Sequence, residues 1–427
     1  MKLFDLKTNV KISLFSKIVT FVLLLYPIFK TYGWKYNISY IVSFMLALGF
    51  VVYKIGRGNF KVKGSKMPWL LAVFFYYSMF VNVVTETSIL SALPIGLIMS
   101  FMIAYLFFEN IHFEFFVKSY RIVALVCIAF FWIQELSFQT TGYRPSGLLM
   151  FLPLQVTGES ASDVAFAQMY ENARSSSFFS EPAHFVQFLL PLLCFELFSS
   201  YKNLVRAILI ILTLLYLRSG NALVGLGAVA VVYVFQLFSS KETLSKKILI
   251  LLVIIFAGLG GVKYAESDVG EKLMERREEI DFNATSGGSG FLRVVRGYIV
   301  YGDFNLLEKI VGVRGQERLK EHTSKFTSAF SYGASGYYNG IQTVLINTGI
   351  IGMIIFLSLL YSLWKRNNLC GKSSILCFFA LCFVSAIMLS EVMWTFLILA
   401  SLSQERERNV KYKGKKIRIK AALLDNA

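Results

Sequence analysis

The sequence predicts an all-α integral membrane protein: a polytopic bundle of eleven or twelve transmembrane helices with a large, mainly helical outward-facing loop. Three observations predict it. Of the 427 residues, 56% are hydrophobic and 16% charged, with mean hydropathy +0.60, which is too apolar for a soluble core and its solvated surface. Apolar stretches recur at close to the roughly 20 residues that a bilayer-crossing helix needs. The formal net charge of +17 is gathered into a few segments rather than spread evenly.

Ten apolar stretches are candidate spans, at about 18–34, 36–53, 69–85, 89–108, 120–137, 183–200, 203–217, 220–238, 247–262 and 338–363. A further region, 374–402, is long enough for one tilted span or a tight pair. The first stretch is flanked by Lys2, Lys7, Lys11 and Lys17, and no small-residue cleavage pattern follows FVLLLYPIFKTYGW. It therefore reads as a retained span and not a secretory signal. The loop YKIGRGNFKVKGSKMP has five basic residues and no acids, and the tail after Ser403 has eight basic and three acidic residues. By the positive-inside rule both lie in the cytoplasm with the N-terminus, so the excess charge is a topology signal and not a nucleic-acid surface. Eleven spans would leave the tail outside. Ser390-Glu391, near the middle of SILCFFALCFVSAIMLSEVMWTFLILASL, suits an outward bend between two short helices, which gives twelve. Residues 1–402 form the bundle and 403–427 a basic cytoplasmic tail.

Alternation places two long loops outside, at 138–182 and 263–337, well beyond ordinary connections. The second holds eleven basic and eleven acidic residues. Within it SDVGEKLMERREEIDF reads as a helix capped by Ser267 or Asp268. A second helix starts near Phe291 and runs toward GVRG, giving a small helical cap on the bundle.

Arginines gather on the outward side: Arg144, Arg174, Arg218, Arg293, Arg296, Arg314 and Arg318. A guanidinium is always charged and grips phosphate oxygens bidentately, so such a set suits a lipid-linked pyrophosphate. For Arg144, Arg314 and Arg318 the bland reading, an ion pair or headgroup contact, is preferred. Arg218, at the junction of two spans, is costly at membrane depth without a partner or a task. Cys127, Cys194, Cys370, Cys377 and Cys382 lack metal-ligand spacing and read as packing residues. His112 falls in an inward loop, while His184 and His322 lie outside and read as structural, with a base role open. Phosphate-cradling glycine loops, paired-His metalloprotease motifs and nucleophile elbows are absent from the sequence. The intramembrane charges are few, Glu196 and Glu391 being the main ones.

Four segments resemble the bacterial O-antigen and capsular polysaccharide polymerases, which share a superfamily with the O-antigen ligases. RSSSFFSEPAHF is similar to the family's Arg-to-Glu-Pro segment at the mouth of a span. LRSGNALVGLG resembles its Ser/Arg/Gly-rich start of a later span, SGFLRVVRGYIVYGDFNLLEKIVGVRG its arginine-bearing helix, and YYNGIQTVLINTGIIGMIIFL its Asn-led span. Each pattern alone is weak, and their order and spacing carry the likeness. The ligases typically place a histidine before that Asn, whereas here Tyr338 precedes Asn339. The departure favours a polymerase.

The resemblance implies transfer of a growing glycan from undecaprenyl pyrophosphate to a sugar hydroxyl of the next lipid-linked oligosaccharide repeat unit. The reaction takes place on the outer face of the bacterial cytoplasmic membrane, with no cofactor and no metal. A pyrophosphate already leaves well, so cations at its oxygens and alignment of two substrates supply most of the catalysis. Glu181, Arg296 and Arg218 are then the expected catalytic residues. Arg174, Arg293, Asn339, Tyr338 and His184 are expected to bind pyrophosphate or glycan. Glu181 would orient or deprotonate the acceptor hydroxyl or hold an arginine; the alternative is an ion pair with Arg174 that fixes the loop. The implied partners are the lipid-linked oligosaccharide, membrane lipid and a protein that regulates chain length. A ligase with a lipid A-core acceptor and a flippase or other transporter are the competing functions. Transporters concentrate polar groups along a midplane path, unlike this chain.

Overall fold

The computed structural model describes residues 12–33, 36–59, 68–85, 92–149, 152, 174–239, 294–313, 316–325, 338–388, 390 and 392–403. Among these, the regular elements are helices, with one isolated bridge between Gly33 and Asn37. In chain order they are α1 (Leu14–Phe29), α2 (Ile38–Gly56), α3 (Trp69–Thr85), α4 (Ala92–Asn110), α5 (Phe113–Thr141), α6 (Pro182–Phe198) and α7 (Leu204–Tyr216). They continue with α8 (Gly220–Ser239), α9 (Arg296–Gly302), α10 (Leu306–Val311), α11 (Gln316–Ser324), α12 (Gly340–Arg366), α13 (Leu369–Leu381) and α14 (Val392–Ser403). The expected span at 247–262, the helix over SDVGEKLMERREEIDF, Arg293, Arg314, Glu391 and the tail fall outside the described residues.

Asparagine marks many of the helix starts. Asn37, Asn203, Asn305, Asn339 and Asn368 each cap a helix, the side-chain oxygen accepting from a first-turn N–H that has no intrahelical partner. Gly142 ends α5 in the left-handed region at φ 69°, where a Cβ would be strained. The helix expected from Phe291 is instead two short ones, α9 and α10. Asn305 and Glu308 form a reciprocal capping box that starts the second. The apolar region 374–402 resolves into α13 and α14, and the chain leaves the helix at Cys382, earlier than the expected bend at Ser390.

Among the described residues, three helices, α2, α5 and α12, are long and apolar enough to cross a membrane; the apolar stretches described fully in the other helices, such as Ile95–Asn110 of α4 and Gly220–Gln236 of α8, are shorter. Their outer faces are apolar too. Val73, Tyr76, Phe80 and Val84 line an exposed stripe on α3, and Ile350, Ile354, Leu357 and Tyr361 one on α12, each at helical spacing. Continuous stripes of this kind are foreign to a water-facing surface and suit contact with lipid.

One large core joins the helices: α3 packs on α4 and α12, α6 on α7 and α8, and α13 on α6, α8 and α12. All five cysteines are buried and free. Near the C-terminal end of α6, Glu196 is fully buried between two arginines. Its Oε1 lies 2.6 Å from Arg121 Nε of α5 and 3.2 Å from Arg206 Nε of α7. The intramembrane charge expected at Glu196 is thus a structural triad tying three helices.

Candidate functional site

At the other end of α6 the chain gathers the resemblance segments around one serine. Ser385, in the link after α13, accepts at its Oγ from Gln187 Nε2 of α6 (2.7 Å) and from Asn221 Nδ2 of α8 (3.3 Å). Its carbonyl accepts from the Gly340 N–H at 2.9 Å, and Asn339 Nδ2 donates to the Phe383 carbonyl at 2.8 Å. The starts of α6, α8 and α12 are therefore pinned to the same link. Each of these starts lies a few residues past a predicted site residue: Glu181, Arg218 and Tyr338 respectively.

The arginine-bearing helix joins through Gln342. This side chain closes the α12 capping box with Asn339 and donates from Nε2 to the Val294 carbonyl at 2.8 Å. Gly297 makes the approach possible, since a Cβ there would meet the Gln342 side chain at 2.6 Å. Arg296 consequently sits fully buried, its guanidinium carbon 5.5 Å from the centroid of the Tyr338 ring. Stacking of this kind holds a desolvated guanidinium in one orientation. The Tyr338 hydroxyl is buried and, among the described residues, has no hydrogen-bond partner. A tyrosine phenol is protonated at neutral pH, so this one is available as a donor. A buried hydroxyl left unpaired is uncommon and calls for a ligand or water. Asn339 is buried and also hydrogen-bonds the Tyr298 side chain of α9.

A second arginine group forms over α5 and α7. Arg174 Nη1 donates to the Arg218 carbonyl at 2.8 Å, and Arg218 lies over the Tyr216 ring at 5.8 Å. Arg218 has φ 49° and Ser177 φ 57°; among the described residues these are the two non-glycines with positive φ. Such backbone costs on the order of 1 kcal/mol or more and persists where the surroundings fix it. For Ser177 the fixing is plain: Oγ donates to the Cys127 carbonyl at 2.7 Å and N–H to Gln134 Oε1 at 2.9 Å. The stretch Ser175–Ser177 is thus a buried plug against α5 rather than a surface loop.

Arg144, read from sequence as a surface or headgroup contact, belongs to this group. It is 5% exposed, stacks on Phe138 at 4.0 Å and donates from Nε to Ser175 Oγ at 2.8 Å. Burial lowers its pKa; the Glu135 carboxylate opposes this, and the Arg218 guanidinium adds to it. Nothing in its local sequence separated it from Arg318, which does form surface ion pairs, with Glu308 and Glu321.

Of the other expected residues, Glu181 is exposed at the N-cap of α6 with no side-chain capping bond, and Pro182 follows at the first helical position. His184 Nδ1 lies 3.1 Å from Ser180 Oγ. His322 sits in the cap, its Nδ1 2.6 Å from Asp303 Oδ2 and its Nε2 3.2 Å from Glu308 Oε2, a structural placement. Sequence reasoning passed over Ser385, Gln187 and Gln342; polar residues inside apolar runs were the available signal. No protein-family model matches the chain, and neither does any curated protein sequence.

Proposed function

We propose that the chain is a polysaccharide polymerase of the bacterial cytoplasmic membrane. It transfers a growing glycan from undecaprenyl pyrophosphate to a lipid-linked oligosaccharide repeat unit. In this reading the shorter apolar helices also cross the bilayer, eleven or twelve spans in all, and the end of α6 that carries Glu181 faces outward. The observation that carries the proposal is the buried Arg296 stacked on Tyr338, whose hydroxyl has no protein partner among the described residues.

Chemically, an acceptor hydroxyl oxygen bonds to the anomeric carbon while that carbon's bond to the pyrophosphate oxygen breaks. The hydroxyl proton leaves to a base, and the pyrophosphate departs on its lipid. Negative charge grows on the departing oxygen, where Arg296 and the Tyr338 O–H are arranged to meet it without reorganising. Arg174, Arg218 and Arg144 hold further pyrophosphate charge, with Arg293 assigned to the same role. The exposed Glu181 orients or deprotonates the acceptor.

The test is purified protein in vesicles supplied with a lipid-linked pyrophosphate oligosaccharide. Longer glycans and free lipid pyrophosphate are expected, with both lost in Arg296→Ala. Transport of the substrate across the vesicle without elongation would overturn the proposal in favour of a flippase.

A further inference from the structure

The α9–α10 hairpin is held deep against the bundle. Gly312, just after α10, and Gly349, inside α12, lie against each other. A Cβ on Gly349 would meet the Ile310 carbonyl oxygen at 2.3 Å, and one on Gly312 the Thr348 nitrogen at 2.5 Å. Both use positive φ, 96° at Gly312 and 60° at Gly349, and the latter breaks the α12 ladder. The polar backbone freed there is satisfied between the two segments: Val313 N–H donates to the Ile346 carbonyl at 2.7 Å. Tyr77 Oη of α3 donates to the Val311 carbonyl at 3.2 Å.

These contacts set a depth. Gly349 lies nine residues along α12 from Gly340, roughly 14 Å at 1.5 Å per residue. Tyr77 lies near the middle of α3. Irregular backbone below the rim of a bundle persists only where its polar groups are paired, as they are here. On the face of α10 turned from these contacts, Leu306, Leu307 and Ile310 are 77%, 69% and 36% exposed. Tyr77, which holds the end of α10, sits on α3 next in sequence to the exposed Tyr76 and three residues before the exposed Phe80.

We propose that α10 is re-entrant: it dips from the outer surface into the outer half of the bilayer, and its Leu306–Leu307–Ile310 face contacts lipid hydrocarbon. The occupant of that face is acyl chain, continuous with the lipid around α3. The polar side of the hairpin, Glu308 with Arg318 and His322, stays with α11 in water. Anchoring α10 this way fixes the height of Arg296 relative to lipid headgroups.

The experiment places a nitroxide at Leu307→Cys and, separately, at Leu306→Cys in the full chain, the five native cysteines being buried. The protein is held in phosphatidylcholine–phosphatidylglycerol nanodiscs, and collisions with oxygen and with a water-soluble nickel chelate are compared. Glu321→Cys on α11, 61% exposed, is the aqueous control. Oxygen accessibility is expected to dominate at both leucine sites, with loss of nickel broadening, and nickel to dominate at Glu321. Nickel access at the leucine sites, or shielding from both reagents, overturns the proposal. The readout does not depend on glycan transfer, so it stands or falls separately from the proposed activity.

Discussion

The Ser385 hydroxyl accepts the side-chain amide of Gln187 at 2.7 Å, across 198 residues of chain. The same oxygen takes the Asn221 amide, and the Ser385 carbonyl takes the Gly340 N–H. One short link after α13 therefore sets the relative positions of three helix starts. Ser385→Ala leaves two buried amides without this acceptor, at a cost of about 1–3 kcal/mol. A lower melting temperature in detergent is expected, together with shorter glycan products at unchanged membrane abundance. Wild-type melting would refute the role of the link.

Tyr338→Phe keeps the ring under Arg296 and removes only the hydroxyl. Melting temperature is expected to stay within about a degree or to rise slightly, since a buried unpaired hydroxyl no longer has to be accommodated. Elongation is expected to fall by roughly 100–1,000-fold, the range for losing one donor to a developing anion. Equal activity in wild type and variant would remove Tyr338 from the site.

Gly349→Ala forces a Cβ into the Ile310 carbonyl at a backbone conformation that L side chains rarely adopt. We expect destabilisation of roughly 1–3 kcal/mol. Faster proteolysis within 306–325 should accompany it, as α10 leaves its seat. An unchanged cleavage pattern would argue against the docking.

Glu196→Ala strips the shared carboxylate from Arg121 and Arg206 and leaves two guanidiniums facing each other. The expected loss is about 3–5 kcal/mol, the range for breaking a buried ion pair from one side. Thermal melting in detergent checks it, and adding Arg206→Met should recover part of the loss.

Acid sensitivity of the cap follows from Asp303, whose pKa is lowered by its contacts with His322 and Lys325. A depressed carboxylate stabilises the folded cap above its ordinary value near 3.9 and loses that contribution as pH falls through the lower folded value. Proteolysis of α11 is expected to stay flat from neutral pH to about pH 4 and to rise only below it. Asp303→Asn should weaken that acid dependence, and Glu308, lowered against its burial by bonds to the Asn305 backbone, Arg318 and His322, carries the remainder.

The helix pattern was legible because apolar runs are local signals, and most helix starts fall within a few residues of the expected spans; α5, expected from 120, begins at Phe113. The division of 291–313 into α9 and α10 was harder, since Asn305 and Glu308 act only as a reciprocal pair. In the candidate site, Arg296 and Tyr338 were legible as residues, but their stacking depends on Gly297 and Gln342, forty-five positions apart in sequence. Arg144 was underrated because its burial comes from Ser175 and Phe138, one of which lies 31 residues away. Ser385 shows in the sequence only as a polar residue inside an apolar run; its role exists only once three helices converge.

The most direct test is polysaccharide banding on a gel from cells that lack the native gene, complemented with wild type, Arg296→Ala, Arg218→Ala or Glu181→Gln at matched membrane levels. The account predicts single repeat units on the surface without the gene, a full ladder with wild type, and no ladder with either arginine variant. A complete absence of surface glycan without the gene, or a full ladder from every variant, would contradict it.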